Sequence, residues 1–289
     1  MSPGDGSATR GPEGLLLVDK PRGITSHDAV SSVRGALRTK KVGHAGTLDP
    51  MATGLLVMGV GRATRFLRFI GGLPKTYEAT MRLGVETSTL DSEGEVVRTS
   101  QVAASDDALA RAVSGLVGES TQRPPAYSAV KVGGRRLYEA ARRGEPIEAA
   151  ARPIHVERFE VVARHGDDVD VTITCGGGTY VRALVADVGS ALGCGAHLTA
   201  LRRTHIGSFD VADAVPPDDP GPPLPIDRAV AHLPSLMLDA EEARAATNGR
   251  PLGPSGFVGP HAVRSPDGRL IGVYEDGGPR SKPLVVLAP

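Results

Sequence analysis

Apolar positions fall along the chain as short continuous runs, alternating runs and helical stripes. GLLLVDKPRG, an apolar run ended by a Pro-Gly pair, predicts a buried strand and a turn. Ser26 then stands where it can cap a helix whose apolar face carries Val30, Val33 and Leu37. LLVMGVG reads as a second buried strand. KTYEATMRLGV alternates as a half-buried strand does, and a hairpin is expected after it through Glu93 and Gly94. SDDALARAVSGLVG predicts a helix opened by Ser105, with two acids in its first turn and Gly118 as its stop.

Further on, YSAVKVGGRRLYEAARRG predicts a short strand, a Gly-Gly turn and a short basic helix. HVERFEVVARHGDDVDVTITC reads as two strands joined at Gly166. A helix through YVRALVADVGSALG begins near Gly176 to Thr179, and LRRTHIGSFDV supplies another strand. Strands outnumber crossover helices, so the fold class is α+β with a mixed, mostly antiparallel sheet flanked by helices. Six prolines in VPPDDPGPPLP mark a linker or extended arm over residues 215–234. The short helix DAEEARAATNG and the strand-like LIGVYED and KPLVVLA then predict a small β-rich module over 235–289. Residues 1–12 are expected to be a flexible N-terminus, and 13–214 the main domain.

The composition, 40% hydrophobic and 23% charged, is that of a globular chain rather than a disordered or fibrous one. No apolar stretch reaches the roughly 18 residues of a membrane span and the N-terminus lacks a signal-peptide core, so a cytoplasmic protein without membrane contact is expected. Cys175 and Cys194 form no CxxC pair and are read as buried, reduced thiols.

Basic and acidic residues balance at 33 each, yet their distribution is uneven. Residues 14–75 carry ten basic side chains against three acidic, and 121–143 six against one, whereas 210–250 carry eight acidic against three basic. Such segregation allows a phosphate-binding face on a neutral protein, or simply solvated helix faces.

No GxxxxGK[ST], complete GxGxxG, HExxH or GxSxG occurs, which removes the usual marks of ATP, dinucleotide, zinc-protease and serine-hydrolase chemistry. What stands out is GHAGTLDPMATGLL, where one carboxylate, Asp49, is set among small residues and followed by Pro50. Asp49 can be a helix N-cap with Pro50 at the first helical position, or a catalytic carboxylate. In GGGTYVRALVADVG, Tyr180 and Arg182 follow a glycine run that can let an RNA backbone approach and Arg182 can pair with a loop carboxylate, or else Arg182 is one more surface cation and Tyr180 a core residue at an element's end. Tyr77 in KTYEA can stack on a base or fill a sheet face.

DKPRGITSHDAV, KKVGHAGTLDPMATGLL, KTYEA, PPAYSAVKVGGRRLYEAARRG, GTYVRALVADVG and GCGAHLTALRRTHIG occur in that order. On these segments, over about residues 13–210, the chain resembles the bacterial TruB family of tRNA pseudouridine-55 synthases. The resemblance implies a pseudouridine synthase fold with an RNA-gripping insertion near 124–152 and a PUA-like C-terminal module. It implies isomerisation of uridine-55 in the T-loop of tRNA after base flipping, with the T-arm stem-loop as partner, no cofactor and no required protein partner; a monomer is the default expectation.

By the same resemblance Asp49 matches the essential aspartate, Arg182 its arginine partner, and Tyr77 the tyrosine stacked on the target base. Leu201 matches an apolar residue beneath that base, and His44 the histidine that fills space left by flipped nucleotides. Lys20 matches a lysine at the edge of the site, Tyr180 belongs to the substrate-binding set, and Lys131 and Arg135 are backbone contacts of the insertion. Two readings from other classes stand beside this one: a tRNA-binding folding helper with catalysis secondary, and the catalytic subunit of a guide-RNA particle. A carbohydrate-active hydrolase is disfavoured, since only one convincing carboxylate is present where such enzymes use two.

Overall fold

The structure is a computed structural model that describes residues 11–287 apart from 129 and 146; the first ten residues of the expected flexible N-terminus lie outside it. The chain opens with β1 (Gly14–Lys20), α1 (Ser26–Ala36), β2 (Val42–His44), β3 (Thr53–Val60), α2 (Leu67–Gly71) and β4 (Lys75–Leu83). β5 (Val85–Thr87), β6 (Val96–Thr99), α3 (Asp106–Ser114), β7 (Gly118–Gln122), β8 (Lys131–Val132), β9 (Arg135–Arg136) and α4 (Leu137–Arg142) follow. Next come β10 (Arg152–His165), β11 (Asp168–Cys175), α5 (Val181–Ala191), β12 (Ala196–Ile206) and β13 (Phe209–Asp210). The C-terminal part holds β14 (Ser235–Met237), α6 (Ala240–Thr247), β15 (Pro260–Arg264), β16 (Leu270–Gly277) and β17 (Arg280–Val286).

The main sheet runs β1-β3-β12-β4-β11-β10-β7, with β2 on β3 and β13 on β12. Its ladders are antiparallel except where β3 meets β12, with Thr53 opposite Arg202 and Gly54 opposite Arg203. That junction is tight: a Cβ on Gly54, whose φ is +102°, would lie 2.3 Å from the Arg203 carbonyl oxygen. β12 is also bulged on either side of the segment from Leu201 to Arg203, which re-aims its side chains at the middle of the sheet.

Both faces of the β1–β3 half are covered. Leu16, Val18, Leu56 and Met58 pack on Ala29, Val30 and Val33 of α1. Leu15, Leu17, Leu55 and Val57 share a cluster with Phe66, Ile70 and with Leu270, Val273 and Val285 of the C-terminal sheet. That sheet, in the order β14-β15-β16-β17, therefore docks on the main one through a common apolar core. The β4–β10 half is covered on one face by α3 and α5. Its other face is polar, with Thr80 donating to Asp170 at 2.6 Å and Thr76 bonded to Thr174 at 3.0 Å. This is why β4 alternates strictly between buried and accessible positions.

Two sequence expectations need correction. The N-cap of α1 is Thr25, in a reciprocal capping box with Asp28 three residues on. Ser26 is freed for another task described below. α3 ends at Gly115 rather than Gly118, because Gly118 already begins β7 and pairs with Val156 of β10. The Pro-rich segment lies along the free edge of β1. Val215 exchanges backbone hydrogen bonds with Leu17 and Asp19 (both 2.9 Å), and Leu224 with Leu15 (2.7 and 2.9 Å). Val215 and Leu224 are non-proline residues and so carry the N–H that pairing needs, and the arm shields an edge that would otherwise be open. Among the described residues no helix is long and apolar enough to cross a membrane.

Candidate active site

Residues 45–52 leave β2 and enter β3 as a turn, with the Ala52 amide donating to the Asp49 carbonyl at 3.1 Å, so Asp49 caps no helix and its carboxyl faces a cleft. Three buried side chains hold this loop in place. Ser26 Oγ accepts from the Leu48 amide at 2.8 Å and donates to the Leu48 carbonyl at 3.0 Å. Arg203, 1% exposed, donates through its two terminal nitrogens to the Gly46 (3.1 Å) and Thr47 (3.4 Å) carbonyls and through Nε to Leu55 O at 2.8 Å. Lys20, fully buried, donates to the carbonyls of Pro21, Ile24 and Pro50 at 2.9, 2.8 and 3.4 Å.

Removing the Ser26 hydroxyl strands a buried amide and carbonyl beside Asp49. Ser26→Ala is expected to lose about 1–3 kcal/mol of stability in denaturant titration. It should also lose turnover, because the loop carrying the carboxylate loosens. Wild-type stability and rate together would rule out this anchoring.

Arg182, at the start of α5, is 3% exposed. Its Nε lies 2.9 Å from Asp49 Oδ2, and its Nη1 3.5 Å from Asp91 Oδ2. Nη1 also donates to Thr89 O at 2.8 Å and Nη2 to Tyr127 O at 3.0 Å. The Asp49 contact is a charge contact rather than an aligned hydrogen bond, since Nε has no hydrogen-bond partner. Asp91 sits in the β5–β6 turn, where the Glu93 amide and Thr89 hydroxyl donate to its Oδ1. Asp49 keeps 35% of its side-chain surface, facing the cleft. Burial among protein walls raises its pKa above the usual carboxylate range; Arg182 opposes this shift and Asp91 adds to it.

The cleft has a volume of about 930 Å³ and brings together Asp49, Tyr77, Arg182, Leu201, His44 and Tyr180. Tyr77 projects from β4, its hydroxyl held above its ordinary pKa by burial. The cross-strand partner of Tyr77 is Arg203 on β12. Burial likewise keeps the His44 imidazole neutral by lowering its pKa, and Lys20 is pushed down to about 8 mainly by burial. Tyr180 N-caps α5, and its backbone is clamped by Gln122, which accepts from Tyr180 N at 2.8 Å and donates to Tyr180 O at 3.1 Å. Across the cleft, Lys131 and Arg136 are facing partners in the β8–β9 hairpin, and both line it. Arg135 is not among the lining residues; it is exposed and paired with Glu145 at 2.9 Å. Alternation along a two-residue strand turns one arginine in and its neighbour out.

Sequence reasoning missed Asp91, Arg203 and Arg136. The Ser/Thr-rich turn TSTLDSEG with a single central Asp is the signal that could have found Asp91. Arg136 was counted only within the basic run at 121–143 and Arg203 fell inside a predicted strand, and nothing local tells a buried arginine from a solvated one.

The mixed, mostly antiparallel sheet with its C-terminal strand module has the fold of the pseudouridine synthases. A chain of the crystal structure of a Cbf5–Nop10–Gar1 complex superposes with a TM-score of 0.73 at 26% identity, covering 96% of this chain and 85% of that one. The model of the TruB family pseudouridylate synthase N-terminal domain matches residues 34–181. The tRNA pseudouridylate synthase B C-terminal model matches 182–219, and the tRNA pseudouridine synthase II C-terminal model 233–288. Proteins named tRNA pseudouridine synthase B are similar along nearly the whole length: 48% identical in Mycobacterium sp. (strain KMS), covering 96% of each chain, and 45% in Mycobacterium leprae (strain TN), covering 100% of this chain and 95% of that one. The chain belongs to the TruB family of pseudouridylate synthases.

Proposed function

We propose that this protein isomerises uridine-55 in the T-loop of tRNA to pseudouridine, with Asp49 as the catalytic carboxylate. The observation that carries the reading is a single half-open carboxylate, ion-paired at 2.9 Å with a buried arginine, in a cleft of nucleotide size. The tRNA substrate follows the names of the relatives, and position 55 the resemblance of the sequence motifs.

The reaction breaks the C1′–N1 bond, turns the uracil and joins C5 to C1′. The proton on C5 is lost and N1 gains one, so atoms balance without redox change, energy source or cofactor. Asp49 is the group placed to assist bond exchange at the sugar or base, and Arg182 keeps it ionised in poorly solvated surroundings. Tyr77 stacks on the flipped base with Leu201 beneath it, and His44 and Tyr180 shape the entrance. Flipping a base costs a few kcal/mol, which stacking and phosphate contacts from Lys131 and Arg136 offset. Residues 235–289 act as a PUA-like module that adds RNA contacts, and the chain works alone.

Tritium release from a T-arm stem-loop carrying C5-labelled uridine tests the reading, with a transcript bearing cytidine at the target as control. Release from the uridine RNA alone is expected. Tight binding by folded protein without release would instead favour an RNA-folding role. The pH profile carries a further expectation. A raised pKa means that Asp49 stays protonated to higher pH than an ordinary carboxylate, so kcat/KM should rise with pH through an acid limb above the usual carboxylate range. An acid limb at or below that range would mean the ionisation of Asp49 does not govern the rate.

A further inference from the structure

Two cations at the floor of the cleft have no acidic partner among the described residues. Lys75 is 6% exposed, and its ammonium donates to the carbonyls of Gly71 at 2.8 Å and Leu73 at 2.9 Å. An ammonium has three donors, so one is left over. Arg203 donates to backbone carbonyls and to the Tyr77 hydroxyl, and neither residue is ion-paired among the described residues. Both line the cleft.

Glycine keeps the lysine uncovered. A Cβ on Gly46, which lines the cleft, would stand 3.5 Å from Lys75 Cε and 3.8 Å from an Arg203 terminal nitrogen. Burial pushes the Lys75 pKa down to about 8, and repulsion from Arg203 adds to the shift. The other titratable group acting on it is Cys175 on β11, whose own pKa is pushed up to about 11, so that it is a neutral thiol at pH 7. A buried cation without counter-charge costs stability, and an anion entering the cleft would supply that charge.

We propose that Lys75, with Arg203 behind it, forms an anion subsite in the cleft that receives a backbone phosphate of the RNA beside the flipped uridine. This rests on the RNA-modifying reading above. A phosphate brings the missing charge and accepts the spare N–H, and the glycine at 46, which lines the cleft, leaves room for it to approach.

The test uses T-arm stem-loops in which one phosphate at a time, on either side of the target uridine, is replaced by a neutral methylphosphonate. Wild-type protein is expected to lose about tenfold in affinity at one linkage, and Lys75→Met to bind natural RNA equally weakly with no further loss at that linkage. The salt dependence of Lys75→Met should be shallower by about 0.7 in the slope of log K against log salt. Equal tolerance of every neutral linkage by wild type, or a further loss by Lys75→Met at the sensitive linkage, overturns the subsite.

Should Lys75→Met not fold, wild type alone decides between pH 7 and 9.5. Affinity for natural RNA should fall as Lys75 loses its proton, and affinity for the sensitive methylphosphonate RNA should fall less. Lys20 titrates in the same range and weakens both RNAs alike, so an equal fall for the two rejects the proposal. Tritium release is followed in parallel. No release from natural RNA defeats the RNA-modifying reading itself, whereas release with phosphate-insensitive binding defeats only the subsite.

Discussion

Asp49→Asn is expected to lower tritium release by on the order of 10³-fold or more while leaving RNA affinity and the unfolding midpoint near wild type. The rate falls because an amide can neither act as a nucleophile nor take a proton. The fold persists because Arg182 keeps Asp91, Thr89 O and Tyr127 O as partners. The sign of the pKa shift supports the second half. With its folded pKa raised, Asp49 binds its proton more tightly in the folded than in the unfolded chain. Its ionised form therefore detracts from stability above the usual carboxylate range, and a neutral substitute relieves that burden. A variant retaining a tenth of the wild-type rate would remove Asp49 from the chemistry.

Replacing Arg182 should damage fold and rate together. Arg182→Met leaves Asp91, whose side chain is 4% exposed, buried without its counter-charge, and orphans the carbonyls of Thr89 and Tyr127. Breaking a buried pair from one side costs about 3–5 kcal/mol, to be read from denaturant midpoints. Asp49 contributes less to this figure, since a third of its side chain is solvated. Arg182→Lys keeps a charge yet presents one point where four acceptors are spread around a planar fork. It should recover much of the stability and little of the rate. Full activity in Arg182→Lys would show that charge alone suffices, and wild-type stability in Arg182→Met would show that the ion pairs contribute nothing net.

Much of the fold was legible from period and punctuation. The alternation in KTYEATMRLGV, the Gly-Gly turn at 133–134 and the Gly166 turn each produced the expected strand or hairpin, because these signals act between near neighbours. The cap of α1 was misassigned between adjacent hydroxyls. Asp28, three residues after Thr25, carried the deciding information, since only that spacing closes a capping box. The stop of α3 went to Gly118 because a glycine can end a helix or begin a strand with positive φ, and β10, which selects the second, lies more than thirty residues away. The proline run was legible as non-regular, but its seat on β1 depends on a partner two hundred residues earlier.

Residue order alone thus sufficed for the element types, the α+β class, the family motifs and the candidacy of Asp49, Tyr77 and Arg182. It could not say which charges share one pocket. Sheet order places β3, β12 and β4 side by side and swings the β5–β6 turn over α5, so that residues 20, 49, 75, 91, 182 and 203 converge. Desolvation and Coulomb forces depend on distance through space and on what water is excluded, and neither quantity is written in the spacing along the chain.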